Sequence, residues 1–297
     1  MNHIKDQIHC ERAYRMGLSG KGIGVAVLDT GIFLHRDFDS RVTGFADMVN
    51  RRNFAYDDCG HGTHICGIIG GSGRMSGGRY SGIAPGCDLV MVKVLDRKGN
   101  GYSSDVLAGI SWILERKEKL GIRILNISVG ACSKRGMSEN SALVKGVNRA
   151  WDAGLVVVVA AGNNGPRTMS ITTPGISRKV ITVGCSDDDR EVLVGGNRMV
   201  DYSGRGPTAA CICKPDLVAP GCSVISCSGR ADKYTIKSGT SMSTPIVSGA
   251  AALLLERYPD MTNKDVKLKL RESCTDIGLP RNQQGWGLLD VEKLVSK

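Results

Sequence analysis

Residues 25–32 read VAVLDTGI, and this stretch sets the pattern from which the fold is predicted. Its first four residues are continuously apolar instead of alternating with polar ones, which is typical of a parallel strand buried on both faces. The run stops at Asp29, and Gly31 follows as a turn residue. Similar apolar runs recur along the chain, so we predict strands at 24–28, 89–94, 124–128, 155–160 and 180–184.

Helical patterns separate several of these strands, and two more follow the last strand. We predict helices at 104–119, 140–153, 243–257 and 262–273. The last of them begins at Thr262, because Thr262 and Asp265 have the spacing of a capping box. Alternating strands and helices indicate βαβ units, so the expected fold class is α/β, with a mostly parallel central sheet flanked by helices.

The composition is that of a globular protein with a large core. Of the 297 residues, 41% are hydrophobic and 23% are charged, which excludes global disorder. No repeat or linker divides the chain, and we expect a single domain over residues 1–297. Lysine and arginine outnumber aspartate and glutamate by 39 to 29, and the resulting net charge of +10 favours acidic partners without naming an activity.

Three features bear on the cellular compartment. The longest apolar run, residues 155–161, is far shorter than the roughly 20 residues of a membrane helix. Eleven cysteines are spread along the chain without regular pairs, which favours reduced thiols. The first ten residues contain no secretory signal. We therefore expect a cytoplasmic protein if the chain is full-length, and a secreted one if it is a trimmed mature form.

Polar residues flanked by glycine mark four places where chemistry is expected. In an open parallel sheet the functional site lies beyond the carboxyl ends of the strands, and two of the four segments directly follow predicted strands. The four segments are VAVLDTGI with Asp29, GHGTHICG (60–67) with His61, VVAAGNNGP (158–166) with Asn163, and SGTSMSTP (238–245) with Ser241.

These side chains are the components of acyl-transfer chemistry. A serine hydroxyl becomes a good nucleophile when a neighbouring imidazole removes its proton. The imidazole in turn needs a carboxylate that holds its tautomer and stabilises its protonated form. The oxyanion of the tetrahedral intermediate needs fixed donors, which the Asn163 side chain and the Ser241 backbone N–H can supply. A helix that begins near Ser241 adds a favourable dipole.

In the order Asp, His, Asn, Ser, these segments resemble the subtilisin family of serine proteases, the subtilases or peptidase S8 family, and its intracellular bacterial members in particular. The resemblance extends over residues 20–290 and implies a three-layer subtilisin-like fold and a serine endopeptidase of broad specificity. Four further segments carry it: GIAPGCDLVMVKVL (82–95), ILNISVG (124–130), YSGRGPT (202–208) and KPDLVAPG (214–221).

The resemblance assigns a role to each of the four polar residues. Asp29 orients the imidazole, and His61 is the general base and then the general acid. Ser241 is the nucleophile that forms the acyl-enzyme, and Asn163 contributes to the oxyanion hole. His64 lies three residues after His61, on the same helix face, but in the family motif the first histidine is catalytic and the second is structural. An HxxH spacing lacks the glutamate of the HExxH zinc motif, so no metal site is expected.

The resemblance also implies substrate contacts. One segment matches the part of the family that pairs with the substrate as an added β-strand, which tolerates varied sequences because it uses main-chain hydrogen bonds; ordinary turns are the alternative for its glycines. No acidic residue lies in the expected walls of the S1 pocket, so we expect an apolar or aromatic P1 residue. The pairing segment is Gly99, Asn100 and Gly101, and the pocket is formed by Ser128, Val129, Gly130, Ala160, Ala161 and Gly162.

Two features depart from the family pattern. Only 28 residues precede Asp29, so we expect no N-terminal prodomain in this chain. Relatives often hold calcium tightly, and Asp37 matches one ligand, but residues 70–79, GGSGRMSGGR, offer no carboxylate or amide side chain to a hard cation. We therefore expect no required cofactor; calcium is a possible ligand, but not at a tight site. We interpret the acidic run at 187–189 as a solvated turn.

Two other functions stay open at this point. One is a catalytically silent relative that binds peptides or regulates a partner, although all four key residues are present. The other is a nucleic-acid-binding protein, which the charge of +10 suggests, but the basic residues are dispersed and form no known motif. The expected partners are peptide or protein substrates, with no nucleic acid and no membrane, and the oligomeric state is left open.

Overall fold

The computed structural model describes residues 1–130 and 139–296. Its strands are β1 (Gly24–Asp29), β2 (Val42–Asp47), β3 (Asp88–Lys93), β4 (Ile122–Ile127), β5 (Val156–Ala160), β6 (Ile181–Cys185), β7 (Val192–Val194), β8 (Asn197–Met199), β9 (Leu217–Ala219), β10 (Val224–Cys227) and β11 (Tyr234–Lys237). Seven of them form one sheet in the order β2-β3-β1-β4-β5-β6-β9, with every neighbouring pair parallel. Two antiparallel hairpins, β7-β8 and β10-β11, lie outside it.

Helices cover both faces of the sheet. They are α1 (Asn2–Gln7), α2 (Glu11–Arg15), α3 (His61–Gly70), α4 (Ser103–Arg116), α5 (Ala142–Asp152), α6 (Thr240–Arg257), α7 (Asn263–Ser273), α8 (Arg281–Gln284) and α9 (Val291–Val295). Helices α3 and α6 pack together on one face, and α4 and α5 pack together on the other. Three layers result, as expected. Among the described residues, no helix is long and apolar enough to span a bilayer.

The strands and helices predicted from the sequence are confirmed. Strands β1, β3, β4, β5 and β6 lie within two residues of their predicted bounds, and all of β1 and β5 is buried, which explains their continuous apolar runs. Helices α4, α5, α6 and α7 lie within three residues of theirs. The capping box that begins α7 is formed by Thr262 and Asp265.

Helix α6 runs through the core. Almost all of its first 16 residues are buried, and a helix that is apolar or small on all sides packs in a protein interior. Small residues let neighbouring segments approach this helix closely. At Gly249, for example, a Cβ would lie only 2.7 Å from the Cβ of Ile83. The helix is therefore packed closely against the sheet, mainly against β4, β5 and β6.

The strand order reverses at β1, which fixes where a site is expected. From β1 the chain first builds β2 and β3 on one side and then continues from β4 to β9 on the other. The loops that leave β1 and β4 diverge, and such a reversal opens a crevice beyond the carboxyl ends of the two strands. Asp29 ends β1, and Ser128 directly follows β4.

Candidate active site

Asp29 and His61 form a hydrogen-bonded pair at the carboxyl end of β1. Asp29 is fully buried, and His61 is the first residue of α3. His61 Nδ1 lies 2.8 Å from Asp29 Oδ1 and 3.0 Å from Oδ2, so it donates to the carboxylate and leaves Nε2 available to the cleft. A Cβ on Gly62 would collide with the carbonyl oxygen of Gly31, so a glycine is required where α3 approaches β1.

The charges around His61 favour its protonated form. Burial is the largest influence and opposes the charge on the ring. The Asp29 carboxylate raises the pKa of His61 through its charge and its hydrogen bond, and the charge of Asp57 raises it too. The charge of Lys237 lowers this pKa. The carboxylates prevail, and the pKa of His61 is raised above its usual value.

Asp57 holds the start of α3 in place. Its carboxylate accepts hydrogen bonds from the backbone N–H groups of Cys59, Gly60 and Thr63 and from two hydroxyls, at 2.6 to 3.1 Å. One of these hydroxyls belongs to Thr30, the neighbour of Asp29, so Asp57 ties the helix to the end of β1. Sequence reasoning missed Asp57, although an aspartate just before a helix start is a known capping signal.

Ser241 is the second residue of α6, so its backbone N–H has no partner inside the helix. Its Oγ donates a hydrogen bond of 2.7 Å to the carbonyl oxygen of Ser128. Ser241 and His61 line the same cleft, of about 470 Å³. Ser241 Oγ is thus bonded to a backbone carbonyl oxygen, and hydrogen bonds between catalytic groups often align only when substrate is bound.

Asn163 lies in the same cleft with its amide held in one orientation. Its Oδ1 accepts hydrogen bonds of 3.0 Å from both the N–H and the hydroxyl of Thr240. Because Oδ1 is occupied, Nδ2 is the group that the side chain presents to the cleft. Sequence reasoning missed Thr240 as a positioning residue; its place directly before Ser241 is the signal.

His64 lies one helical turn after His61 and is fully buried. Its Nε2 is 3.1 Å from the carbonyl oxygen of Val224 and 3.2 Å from that of Thr235, so this nitrogen carries the proton and donates. Burial, with the charges of Lys237 and His61, lowers the pKa of His64 to about 3. The ring is therefore neutral and links α3 to the β10-β11 hairpin.

Most of the residues predicted to contact substrate lie around the cleft. Ala161 does not reach it: this residue is fully buried, and its backbone groups bind Val183 and Thr172. Neighbouring residues of an extended chain point in opposite directions, so its neighbours face the cleft instead. The cleft is lined by Gly99, Ser128, Val129, Gly130, Ala160 and Gly162, and an adjoining pocket by Gly99, Asn100 and Gly101.

Thr172 fills the space between the two glycine walls of the cleft. A Cβ on Gly130 would collide with Thr172 Oγ1, and a Cβ on Gly162 would collide with Thr172 Cγ2. Its backbone N–H donates to Ala161 at 2.9 Å, which fixes the side chain between the walls. Thr172 was not singled out from the sequence, because it is 42 residues from one wall and ten from the other.

Two buried groups of side chains have donor atoms close enough to hold a metal ion in the described part of the chain, but both are already hydrogen-bonded. In the first, Asp37 Oδ1 accepts from the Met75 N–H, and Oδ2 accepts from the Tyr234 hydroxyl and the Cys227 thiol. The two groups are His35, Asp37 and Cys227, and Cys185, Asp187 and Cys222.

The acidic run at 187–189 is only partly solvated, which corrects the interpretation from sequence. Asp187 accepts from the backbone N–H of Gly221 at 2.7 Å and of Cys222 at 3.1 Å. Asp188 is buried, accepts from the Ser203 N–H, and has its pKa raised by burial. Segments that follow later in the chain pack against this run, so the carboxylates of Asp187 and Asp188 accept hydrogen bonds inside the protein.

The residues around Asp37 do not fit the tight calcium site that the family resemblance implies. Both carboxylate oxygens of Asp37 are occupied, as described above. The guanidinium of Arg41 donates to the carbonyl oxygens of Gly70 at 2.5 Å, Asp37 at 2.6 Å and Cys87 at 3.2 Å. A fixed cation therefore already occupies the carbonyl oxygens around Asp37, where a calcium ion would need free oxygen ligands.

A carboxylate–imidazole pair that shares a cleft with a serine at a helix N-terminus is typical of a triad hydrolase. In this chain the three groups follow the order Asp, His, Ser and lie at the carboxyl ends of a parallel sheet. This combination is typical of one family of such hydrolases. The model of the subtilase family matches residues 20–287, and the chain belongs to this family.

The chain is similar to several named proteases along most of its length. It is 42% identical to Serine protease AprX of Bacillus subtilis (strain 168), over 90% of this chain and 65% of that protein, and so spans slightly less than two thirds of it. It is 33% identical to Subtilisin DY of Bacillus licheniformis, over 96% and 95% of the two chains.

Two solved structures share the fold. The chain matches Sphericase with a TM-score of 0.79 and 32% identity, over 92% of this chain and 93% of that one. It matches a cold-adapted subtilisin-like serine proteinase with a TM-score of 0.75 and 29% identity, over 92% and 90%. The predicted subtilisin-like architecture is thereby confirmed.

Proposed function

We propose that this chain is a serine endopeptidase that hydrolyses peptide bonds through an acyl-enzyme on Ser241. The observation that carries the proposal is the Asp29–His61 hydrogen bond beside Ser241, in a cleft to which Asn163 presents Nδ2. The names of the relatives, which include a serine protease and several subtilisins, support the same reaction.

Acylation follows from the positions of these groups. His61 Nε2 takes the proton from Ser241 Oγ as Oγ attacks the carbonyl carbon of the substrate. The resulting oxyanion is bound by Asn163 Nδ2 and by the unpaired N–H of Ser241 at the helix start. The imidazolium, stabilised by Asp29, then donates its proton to the leaving amine as the C–N bond breaks.

Deacylation repeats these steps with water. His61 Nε2 takes a proton from water, whose oxygen attacks the acyl carbon of the ester on Ser241. The same two donors bind the second oxyanion. Collapse of this intermediate returns the proton from His61 to Ser241 Oγ and releases the carboxylic acid.

The substrate backbone is proposed to pair with the loop that follows β3. Within this loop, both the N–H and the carbonyl of Asn100 bind Asp96. We therefore assign the pairing to the carbonyl of Gly99 and to the backbone of Gly101, as main-chain pairing with an extended peptide requires. The P1 side chain enters between Gly130 and Gly162, where Thr172 limits its size. An apolar P1 residue of small or medium size suits these walls.

Calcium is not needed for this reaction in our proposal. The contacts of Asp37 and Arg41 described above support this view, because they satisfy internally the groups that a calcium ion would bind. No step of the mechanism passes through a metal ion.

Labelling with a fluorophosphonate tests the proposal, because this reagent phosphonylates only an activated serine. The folded chain is expected to gain one adduct on Ser241, found by mass spectrometry. Heat-denatured protein and the Ser241→Ala variant are expected to gain none. A folded chain without an adduct would contradict the proposal and favour a catalytically silent relative that binds peptides.

A further inference from the structure

Two lysines line the proposed active-site cleft together with Ser241 and His61. They are Lys98, which is exposed, and Lys237, which is half-buried. Among the described residues that line this cleft, none is an aspartate or a glutamate. The Asp29 carboxylate is fully buried behind His61 and presents no surface to a substrate. The cleft wall is therefore basic.

Neither lysine forms a direct ion pair in the described part of the chain. Within residues 1–130 and 139–296, the ammonium groups of Lys98 and Lys237 form no ion pair and no side-chain hydrogen bond. Lys93 differs, because it is buried and donates to Asp58 at 2.7 Å. An unpaired ammonium on a concave surface is free to bind a carboxylate that a ligand brings.

Lys237 lines the cleft together with His61, the group that protonates the leaving amine in the proposed mechanism. It ends β11, four residues before Ser241, and its charge acts on both His61 and Cys59. His61 protonates the leaving amine, so the surface beside its ring faces the residues after the scissile bond. The acyl part is assigned to the proposed S1 walls, residues 128–130, where the Ser128 carbonyl accepts from Ser241 Oγ.

Lys98 lies on the acyl side, where it directly precedes Gly99. Its charge is partly offset, because the Asp96 carboxylate is close and accepts the backbone N–H of Lys98 at 2.8 Å. No carboxylate on the cleft surface offsets Lys237 in the same way. Of the two lysines, Lys237 therefore has the stronger effect on a bound peptide.

We propose that the cleft selects acidic peptides, with Lys237 binding a carboxylate side chain one or two residues after the scissile bond and Lys98 binding one on the acyl side. The inference rests on the proposed function. Lys237 is thus a specificity-determining residue, and the net charge of +10 adds attraction over a longer range.

Quenched fluorescent peptides with one apolar P1 residue test the inference. Three peptides carry Asp, Gln or Lys at both P1′ and P2′, and kcat/KM is measured for each. We expect the order Asp, Gln, Lys, with a ratio of roughly tenfold between the Asp and Lys peptides at low salt, as for exposed charges about 5 Å apart. The ratio falls in high salt because the charges are screened.

Two variants that remove the same charge separate a local effect from a global one. Lys237→Gln is expected to remove most of the preference for the Asp peptide, leaving only the small part that is due to the net charge. Lys119→Gln is the matched control, because Lys119 is exposed and far from the cleft. It lies just before β4, at the amino ends of the strands, whereas the cleft lies beyond their carboxyl ends. This variant is expected to keep the wild-type ratio. A ratio that survives in Lys237→Gln contradicts the assignment.

A pH profile gives a second readout that a merely structural role would not move. Asp29 and Asp57 favour protonation of His61, Lys237 opposes it, and His64, one helical turn away, is neutral. Loss of Lys237 therefore raises the pKa of His61. Since the base must be unprotonated, the acid limb of kcat/KM for the Gln peptide moves to higher pH. An unmoved limb contradicts the proximity of Lys237 to His61.

The outcomes distinguish this inference from the proposed function. If the Gln peptide is hydrolysed and the Asp and Lys peptides are cleaved at equal rates, the inference fails and the proposed function stands. If no peptide is hydrolysed and no fluorophosphonate adduct forms on Ser241, the proposed function itself fails.

Discussion

A threonine hydroxyl and methyl group occupy the space between two glycine walls of the cleft. Thr172 meets Gly130 on one side and Gly162 on the other. The expectation from sequence was a pocket for apolar or aromatic P1 residues, based on the absence of acidic side chains. In our proposal these walls form the P1 pocket, and the side chain of Thr172 reduces its depth, because its branched Cβ lies where a large ring would enter.

Replacing Thr172 with glycine is expected to change the P1 preference. The value of kcat/KM for a P1 Phe peptide, relative to a P1 Ala peptide, should rise about tenfold, because pocket space equal to a few methyl groups is worth that order of discrimination. Thr172→Ser, which removes only the methyl group, should give an intermediate ratio. Equal ratios in all three proteins would show that Thr172 does not bound the pocket.

At the scale of single elements, α7 shows how fully a local signal can specify a structure. The Thr262 hydroxyl accepts from the Asp265 N–H, and the Asp265 carboxylate accepts from the Thr262 N–H at 2.9 Å. Every atom of this motif lies within four residues, so the start of the helix was predictable from sequence.

Thr262→Ala is expected to lower the free energy of unfolding by about 1 kcal/mol, the usual cost of losing a cap. The measurement is urea unfolding followed by circular dichroism, with Ser241→Ala in every sample to prevent self-digestion. Lys264→Ala, an exposed position in the first turn of the same helix, is the control and should change little. A loss as large in the control as in Thr262→Ala would argue against the cap.

Helix α6 shows the opposite case. Its predicted start was residue 243, whereas it begins at Thr240. The small polar residues of its first turn have modest helix propensity, and Pro245 withholds one backbone N–H. Hydrogen bonds from Thr240 to Asn163 and from Gly162 to Thr240 hold this turn, and Asn163 is 77 residues away. Contacts distant in sequence therefore determine the helix start that carries Ser241.

The edge strands were missed for a related reason. Strand β2 is only partly buried and contains Gly44, and β9 has three residues. Neither has a long apolar run: β2 is interrupted by Gly44, and β9 is only three residues long, although it is buried. Their places in the sheet come from pairing with β3 and β6.

For the molecule as a whole, the structure predicts stability that does not depend on calcium. Addition of a chelator is expected to leave the thermal midpoint and the peptidase activity unchanged, measured by calorimetry and peptide hydrolysis.

Arg41→Met should lower the free energy of unfolding by roughly 2–3 kcal/mol, because three carbonyl oxygens lose a charged donor. Arg79→Met, at an exposed position in the segment between α3 and β3, is the control and should change little. A thermal midpoint that falls with chelator and recovers with excess calcium would overturn the prediction that stability does not depend on calcium.

By itself, the sequence determined the class of fold and the four polar residues at the cleft. Buried parallel strands have continuous apolar sequences, which can be recognised without a structure. Each of the four polar residues lies in a short contiguous motif: Asp29, His61, Asn163 and Ser241. Only the tertiary structure decided which other residues act on that cleft. Thr172 and Lys237 carry no local signature of their own roles, and the capping signal of Asp57 does not reveal its link to the end of β1. They reach the site because strand order and helix packing bring distant segments within a few ångströms, and such proximity depends on the whole chain rather than on any single stretch.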